Sequence, residues 1–178
     1  MKQVKKILVP TDFSENSRAG LRFGLSLAAE NGADLLILHV ADEFKAWELY
    51  SDEIGFRVPD PWPLDRVVQE ATLDLNRFLQ KHLKEIRQLS TLRKKVVLGD
   101  VAEKIVDMAR EEEVDLIVMS PRPHGTLKRF FLGSVTDQVT REAPCPVLSI
   151  SPPSLERPWP RKWVPSKWFF LRQKEAGT

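Results

Sequence analysis

Cysteine occurs once and histidine three times in the 178 residues. A lone Cys145 cannot close an internal disulfide, so the chain reads as one suited to a reducing cytoplasm. Three scattered histidines and one cysteine cannot supply a structural zinc site, and no metal site is expected. Long apolar runs are missing as well. Nothing approaches the roughly 18 consecutive apolar residues of a membrane span. The start, MKQVKKILVPTDF, has only a short apolar run with Asp12 close behind, so it reads as a strand and not a signal peptide. There is no Gly-x-Ser-x-Gly elbow, no nucleophile–base–acid set and no internal repeat. A strong charge of one sign is absent from the first 150 residues, which hold 21 Lys and Arg against 23 Asp and Glu. That balance excludes a nucleic-acid-binding domain by charge.

What is present is an alternation of apolar runs and amphipathic segments. Lys5 to Pro10 reads as a first buried strand, ended by Pro10 and Asp12. Ser14 is a candidate N-cap for a helix to about Asn31, with Ala19, Phe23, Leu27 and Ala28 inward and Asn31-Gly32 as its stop. Asp34 to Val40 (DLLILHV) is a second buried strand. Residues 41–64 form a long irregular stretch with Trp47, Tyr50 and Trp62, too aromatic for a solvated linker, and read as a covering flap. Leu64 to about Ser90 predicts an amphipathic helix with a basic outer face. Lys94 to Leu98 is a third strand, Val101 to Glu113 a third helix, Leu116 to Ser120 a fourth strand, Gly133 to Glu142 a fourth helix and Val147 to Ile150 a fifth strand. Strands alternating with helices specify an α/β domain, a parallel sheet with right-handed crossovers.

The stretch VDLIVMSPRPHGTLKRFFLGSVTDQVTREAPCPVLSI, residues 114–150, carries the most chemistry. A buried strand ends in PRPHGTLKR, and Gly133-Ser134 then opens a helix with Val135 and Val139 on one face. That order sets backbone N–H groups and the basic Arg122, His124, Lys128 and Arg129 where an anion can sit.

Four pieces, ILVPTDFSENS, ADLLILHV, GDVAEKIVDMAREEEVDLIVMS and FFLGSVTDQVTREAPCPVLSI, resemble the universal stress protein family in the right order across residues 4–150. The resemblance implies a single doubly wound domain, residues 1–150, with strand order 3-2-1-4-5 and helices on both faces. It also implies a nucleotide cleft and a homodimer joined through the last strand. Residues 151–178 lie outside it. ATP-binding members carry Gly-x2-Gly-x9-Gly followed by Ser or Thr. Counting back from Gly133-Ser134 sets Ser120 and Pro123 at the first two glycines. Proline fixes φ and removes a donor, so the phosphate cradle is altered. The resemblance implies a nucleotide site at Thr11, Asp12, Val40, Ser120, Arg122, Pro123, His124, Gly133, Ser134 and Val135.

Each candidate has a plainer reading. Asp12 is also a natural turn-capping acid, Gly133-Ser134 an ordinary helix start, and His39 a satisfied core histidine. Cys145, in Pro-Cys-Pro-Val, reads as a small buried thiol. The expectation is a cytoplasmic homodimeric binding or signalling module responsive to ATP or another adenine nucleotide, with no catalytic residue. The alternative is a nucleotide-independent adaptor that docks on a protein partner or membrane through the Pro/Trp-rich basic tail, residues 151–178. That tail holds three tryptophans, five prolines and six Lys and Arg against two acids.

Overall fold

The computed structural model describes residues 3–42, 64–82, 91–121 and 133–151. The described strands are β1 (Lys6–Pro10), β2 (Asp34–Ala41), β3 (Leu92–Leu98), β4 (Leu116–Met119) and β5 (Val147–Ser149). They form one parallel sheet in the order β3-β2-β1-β4-β5. The described helices are α1 (Glu15–Asn31), α2 (Leu64–His82), α3 (Val101–Glu111) and α4 (Ser134–Glu142). None is long and apolar enough to cross a membrane. The expected flap, the end of the second helix and the tail fall at residues 43–63, 83–90 and 152–178, outside the described residues.

Continuous apolar strands arise because both faces of the sheet are covered. Leu8, Leu36, Leu38, Ile117 and Met119 point to one side, against Ile105, Val106 and Ala109 of α3 and Val139 of α4. Their neighbours Ile7, Val9, Leu35, Ile37 and Val118 point to the other, against Leu21 and Ala28 of α1 and Leu75, Phe78 and Leu79 of α2. The period of two thus divides each strand between two cores. Asp115 pins the sheet at its start, accepting from the backbone N–H groups of Lys5 and Lys6 at 2.9 and 3.1 Å.

Local chemistry fixes most helix ends. Ser14 caps α1 by accepting from the Ser17 N–H at 3.2 Å, and Gly32 ends it at φ 62°. Asp100 caps α3 by accepting from Glu103 N–H at 2.9 Å. That helix stops at Glu111, two residues before the expected end, because Glu113 turns to φ 51°. Strand β3 begins at Leu92, two residues early, since Leu35–Ala41 of β2 pair with the whole of Leu92–Leu98. Away from the sheet, α2 exposes Arg66, Arg77 and Lys81 beside Asp65, and Glu70 and Asp74 are exposed as well.

The inward face of α1 also departs from expectation. Ser17, Gly20, Leu21, Gly24 and Ala28 are buried, while Ala19, Phe23 and Leu27 are only half-buried. The cause is close approach. A Cβ at Gly24 would lie 2.5 Å from Val9 Cγ2, and one at Gly20 would lie 2.8 Å from Ser120 Oγ. A Gly24→Ala substitution gains about 1 kcal/mol of helix propensity. Overpacking against a fully buried valine costs ~1–3 kcal/mol and outweighs it. We expect the melting temperature to fall by about 3 °C or more in thermal denaturation; a rise would show that the seam has room for a methyl group.

Candidate functional site

Strand β1 lies between β2 and β4, so the chain leaving β1 and the chain leaving β4 depart on opposite sides of the sheet. Such a reversal opens a crevice at the carboxyl ends of the strands. Here it is a cavity of about 690 Å³, lined by the turn after β1, the ends of β2 and β4, one face of α2 and the starts of α3 and α4. That volume suits a small-molecule ligand.

The turn after β1 is built by its own side chains. Thr11 N–H donates to the Leu38 carbonyl at 2.9 Å, anchoring the turn on β2. Thr11 Oγ1 shares a 3.1 Å hydrogen bond with Ser17 Oγ and accepts from the Phe13 N–H at 3.2 Å. Asp12 Oδ1 accepts from the Ser14 N–H at 3.0 Å and from the Ser14 hydroxyl. The plain reading of Asp12 as a turn acid therefore holds, and Asp12 also lines the cavity. Phe13 sits at φ 63°, an uncommon conformation for a bulky residue. Its ring stacks on His39 with centroids 4.1 Å apart and planes 25° off parallel.

His39 donates from Nδ1 to the Thr11 carbonyl at 2.8 Å, because that oxygen can only accept. Burial pushes its pKa below 6.5, opposed by the Thr11 bond and, more weakly, by Asp12 and Asp74. The ring is therefore neutral near pH 7. At the other end of the cavity Gly133, φ 85°, precedes α4 with no side-chain cap, leaving backbone N–H groups at the start of α4 for a ligand. The Ser120 hydroxyl is buried without a hydrogen-bond partner. Cys145 lies apart from the cavity, its pKa raised chiefly by burial, as befits an inert thiol. Among the described residues no group of three His, Cys, Asp or Glu could hold a metal.

Seven residues singled out in the sequence, Thr11, Asp12, Val40, Ser120, Gly133, Ser134 and Val135, line this one cavity. Arg122, Pro123 and His124 lie outside the described residues. The wall formed by Val67, Glu70, Ala71 and Asp74 of α2 was not anticipated. Its signal is present in the sequence: the spacing i, i+3, i+4, i+7 marks one helix face. His39 was read only as structural, and Phe13 was not singled out.

A switch-point crevice on a five-stranded parallel sheet defines a doubly wound α/β domain. Residues 3–151 match the universal stress protein family, and the chain belongs to it. It is 30% identical over 159 residues to Universal stress protein MJ0577 of Methanocaldococcus jannaschii, an alignment covering 82% of this chain and 94% of that one. The solved structure of MJ0577 superposes with a TM-score of 0.63 at 28% identity, covering 86% and 99% of the two chains. UspA from Lactobacillus plantarum gives a TM-score of 0.64 at 25% identity, covering 84% and 99%. The universal stress protein from Archaeoglobus fulgidus in complex with dAMP shares the fold, with a TM-score of 0.54, 21% identity and coverage of 84% and 100%.

The two roles of Asp12 separate by substitution. Asp12→Asn keeps an acceptor for Ser14, so its melting temperature should stay near the parent's. Asp12→Ala removes that acceptor and should lose about 1 kcal/mol. If denaturation finds the two variants equally stable, the Asp12 bond to Ser14 is not what holds the turn.

Proposed function

We propose that this protein is an adenine-nucleotide-responsive binding and signalling module that works as a homodimer and is not a dedicated enzyme. The observation that carries the reading is the convergence of Thr11, Asp12, Val40, Gly133 and Ser134 on one crevice at the switch point. The dAMP complex of the Archaeoglobus fulgidus relative supports it, since the same fold takes an adenine nucleotide there. In this chain Asp12 and the Val40 backbone hold the base and ribose end. The N-terminal amides of α4, beside Ser134, take the phosphate end. No nucleophile–base pair stands among the described lining residues, which favours binding over turnover.

The phosphate end is weakened. Ser120 brings a side chain where close backbone approach needs none, and its hydroxyl already lies where Gly20 leaves little space. Pro123 removes a donor by its chemistry alone. Reverting both, as Ser120→Gly with Pro123→Gly, should strengthen ATP binding about tenfold, ~1.4 kcal/mol, in calorimetry. Sub-micromolar ATP binding by the unmodified protein would refute the weakened cradle.

The two sheet edges support dimerisation through β5. Strand β3 exposes Arg93, Lys94 and Lys95, charges that keep an edge from pairing. Strand β5 carries none. Ile117 N–H donates to the Pro146 carbonyl and Ile150 N–H to that of Met119, both at 2.8–3.0 Å. Strand alternation then turns the Leu148 N–H inward and those of Val147 and Ser149 to the open side. Ser149→Pro removes an outward donor and leaves the ladder to β4 intact. It should shift the protein to monomer in analytical ultracentrifugation; an undisturbed dimer places the interface elsewhere. We assign residues 1–150 to this domain and residues 151–178 to a separate appendage.

A further inference from the structure

The cavity has an end whose chemistry the nucleotide reading does not use. There α2 faces the His39 ring across the crevice, and the described polar side chains are acceptors: Asp12 from the turn, Glu70 and Asp74 from α2. His39 is held on two sides, by its Nδ1 bond to the Thr11 carbonyl and by its stack on Phe13. Because Nδ1 carries the proton, the neutral ring keeps a bare lone pair on Nε2. That nitrogen has no hydrogen-bond partner among the described residues, and it is not an enclosed atom. It therefore opens on the cavity its ring lines.

We infer that His39 is a ligand-contacting, specificity-determining residue, whose Nε2 accepts a hydrogen bond from an N–H or O–H of the bound molecule. The inference rests on the proposed adenine-nucleotide reading and assigns the donor-bearing, uncharged part of that ligand to this end. A phosphate has no place here. It would meet a lone pair beside Asp12, Glu70 and Asp74; Arg77 pairs with Asp74 at 3.1 Å, but no described Lys or Arg lines the cavity itself.

Recognition is then coupled to pH. Protonation converts Nε2 from acceptor to donor and turns the contact with a ligand donor from attractive to repulsive. The charged groups that act on the ring are Asp12 from the β1–α1 turn and Asp74 from α2, with Glu70 one turn earlier on the same wall of the cavity. Its register partner on β3 is the neutral Val96. Lys94, two residues earlier on that strand, is held by Asn76 at 2.6 Å. Burial keeps the ring neutral at pH 7 while the Thr11 bond and, less, the carboxylates limit how far its pKa falls, so the switch lies below 6.5.

Adenosine is the probe, since it is uncharged and does not titrate in this interval. Calorimetry at about pH 8 and about pH 5.5 should show the unmodified protein losing affinity at the lower pH, by less than the ~tenfold that an unshifted imidazole would give. His39→Asn keeps a donor toward Thr11 and removes the group at the Nε2 position; it should fold normally, bind adenosine weakly at both pH values and show no pH dependence. His39→Gln restores an acceptor that does not titrate, so it should recover affinity at pH 5.5. A pH dependence retained in His39→Asn, or parental affinity in that variant, overturns the assignment of His39 and leaves the nucleotide reading standing. Absence of binding by adenosine and by AMP at both pH values overturns the nucleotide reading and the inference with it.

Discussion

Helix α1 lies so close to the sheet that two of its turns have no room for a side chain. At Gly24 the obstacle is the Val9 side chain of β1; at Gly20 it is the Ser120 hydroxyl, with the Met119 and Ser120 backbone at the end of β4 behind it. This seam crosses the two strands between which the cleft opens. It therefore fixes the separation of the two segments that form the cleft's floor, the Pro10–Ser14 turn and the exit of β4. The turn depends on it directly, because Thr11 is tied to Ser17 on the buried face of α1. A larger residue at Gly20 would push α1 off β4 and carry the Asp12 turn with it. Ordering a backbone against another at this distance also concentrates dispersion contacts where the sheet is most central.

From that seam outward the sheet is built by one repeated device. Each central strand sends alternate residues to two helical layers, so neither face of β1, β2 or β4 meets water. The edges are left to be handled by composition. Strand β3 does so with a basic run, one member of which, Arg93, is clamped to Glu112 at 2.6 Å. This pair is exposed and adds little stability. What it does is hold a charge over the edge. The short β5 has no such guard, and that asymmetry is the physical reason to look there for a partner subunit.

The strands were legible because a parallel sheet covered on both sides demands continuous apolar runs, and Ile7 to Val9, Leu35 to Leu38 and Leu116 to Met119 supply them. The start of α1 was legible through Ser14, whose side chain caps the backbone locally; Asp100 does the same for α3 but was not singled out. The packed face of α1 was not, since apolar periodicity cannot see glycine, and glycine is what the closest contact requires. The early start of β3 was hidden for the opposite reason: Arg93 looks like a loop residue until an edge position explains it, so the expected strand began only at Lys94. In the cleft, residues at strand ends could be placed through the family resemblance. The α2 wall was legible only as one helix face, since its approach to the site comes through tertiary packing. His39 was read as a satisfied core residue, and at Nδ1 it is one; its second nitrogen is a question only three-dimensional structure poses.

Asp12 shows why the structural and functional readings of one residue need not compete. Its Oδ1 holds Ser14, which caps α1, so the carboxylate is oriented before any ligand arrives. A preordered acceptor costs less entropy on binding than a freely rotating one. The same holds across the cleft for His39, fixed by Thr11 and Phe13. At the far end, the start of α4 offers donors and the positive pole of a helix. The crevice thus runs from acceptors to donors along its length, a gradient that favours a ligand with hydroxyls or an amine at one end and negative charge at the other. A nucleotide has that polarity. On the proposed reading, Ser120 and Pro123 cost affinity at the phosphate and leave the acceptor end as it is, so discrimination falls to the group that sits beside His39.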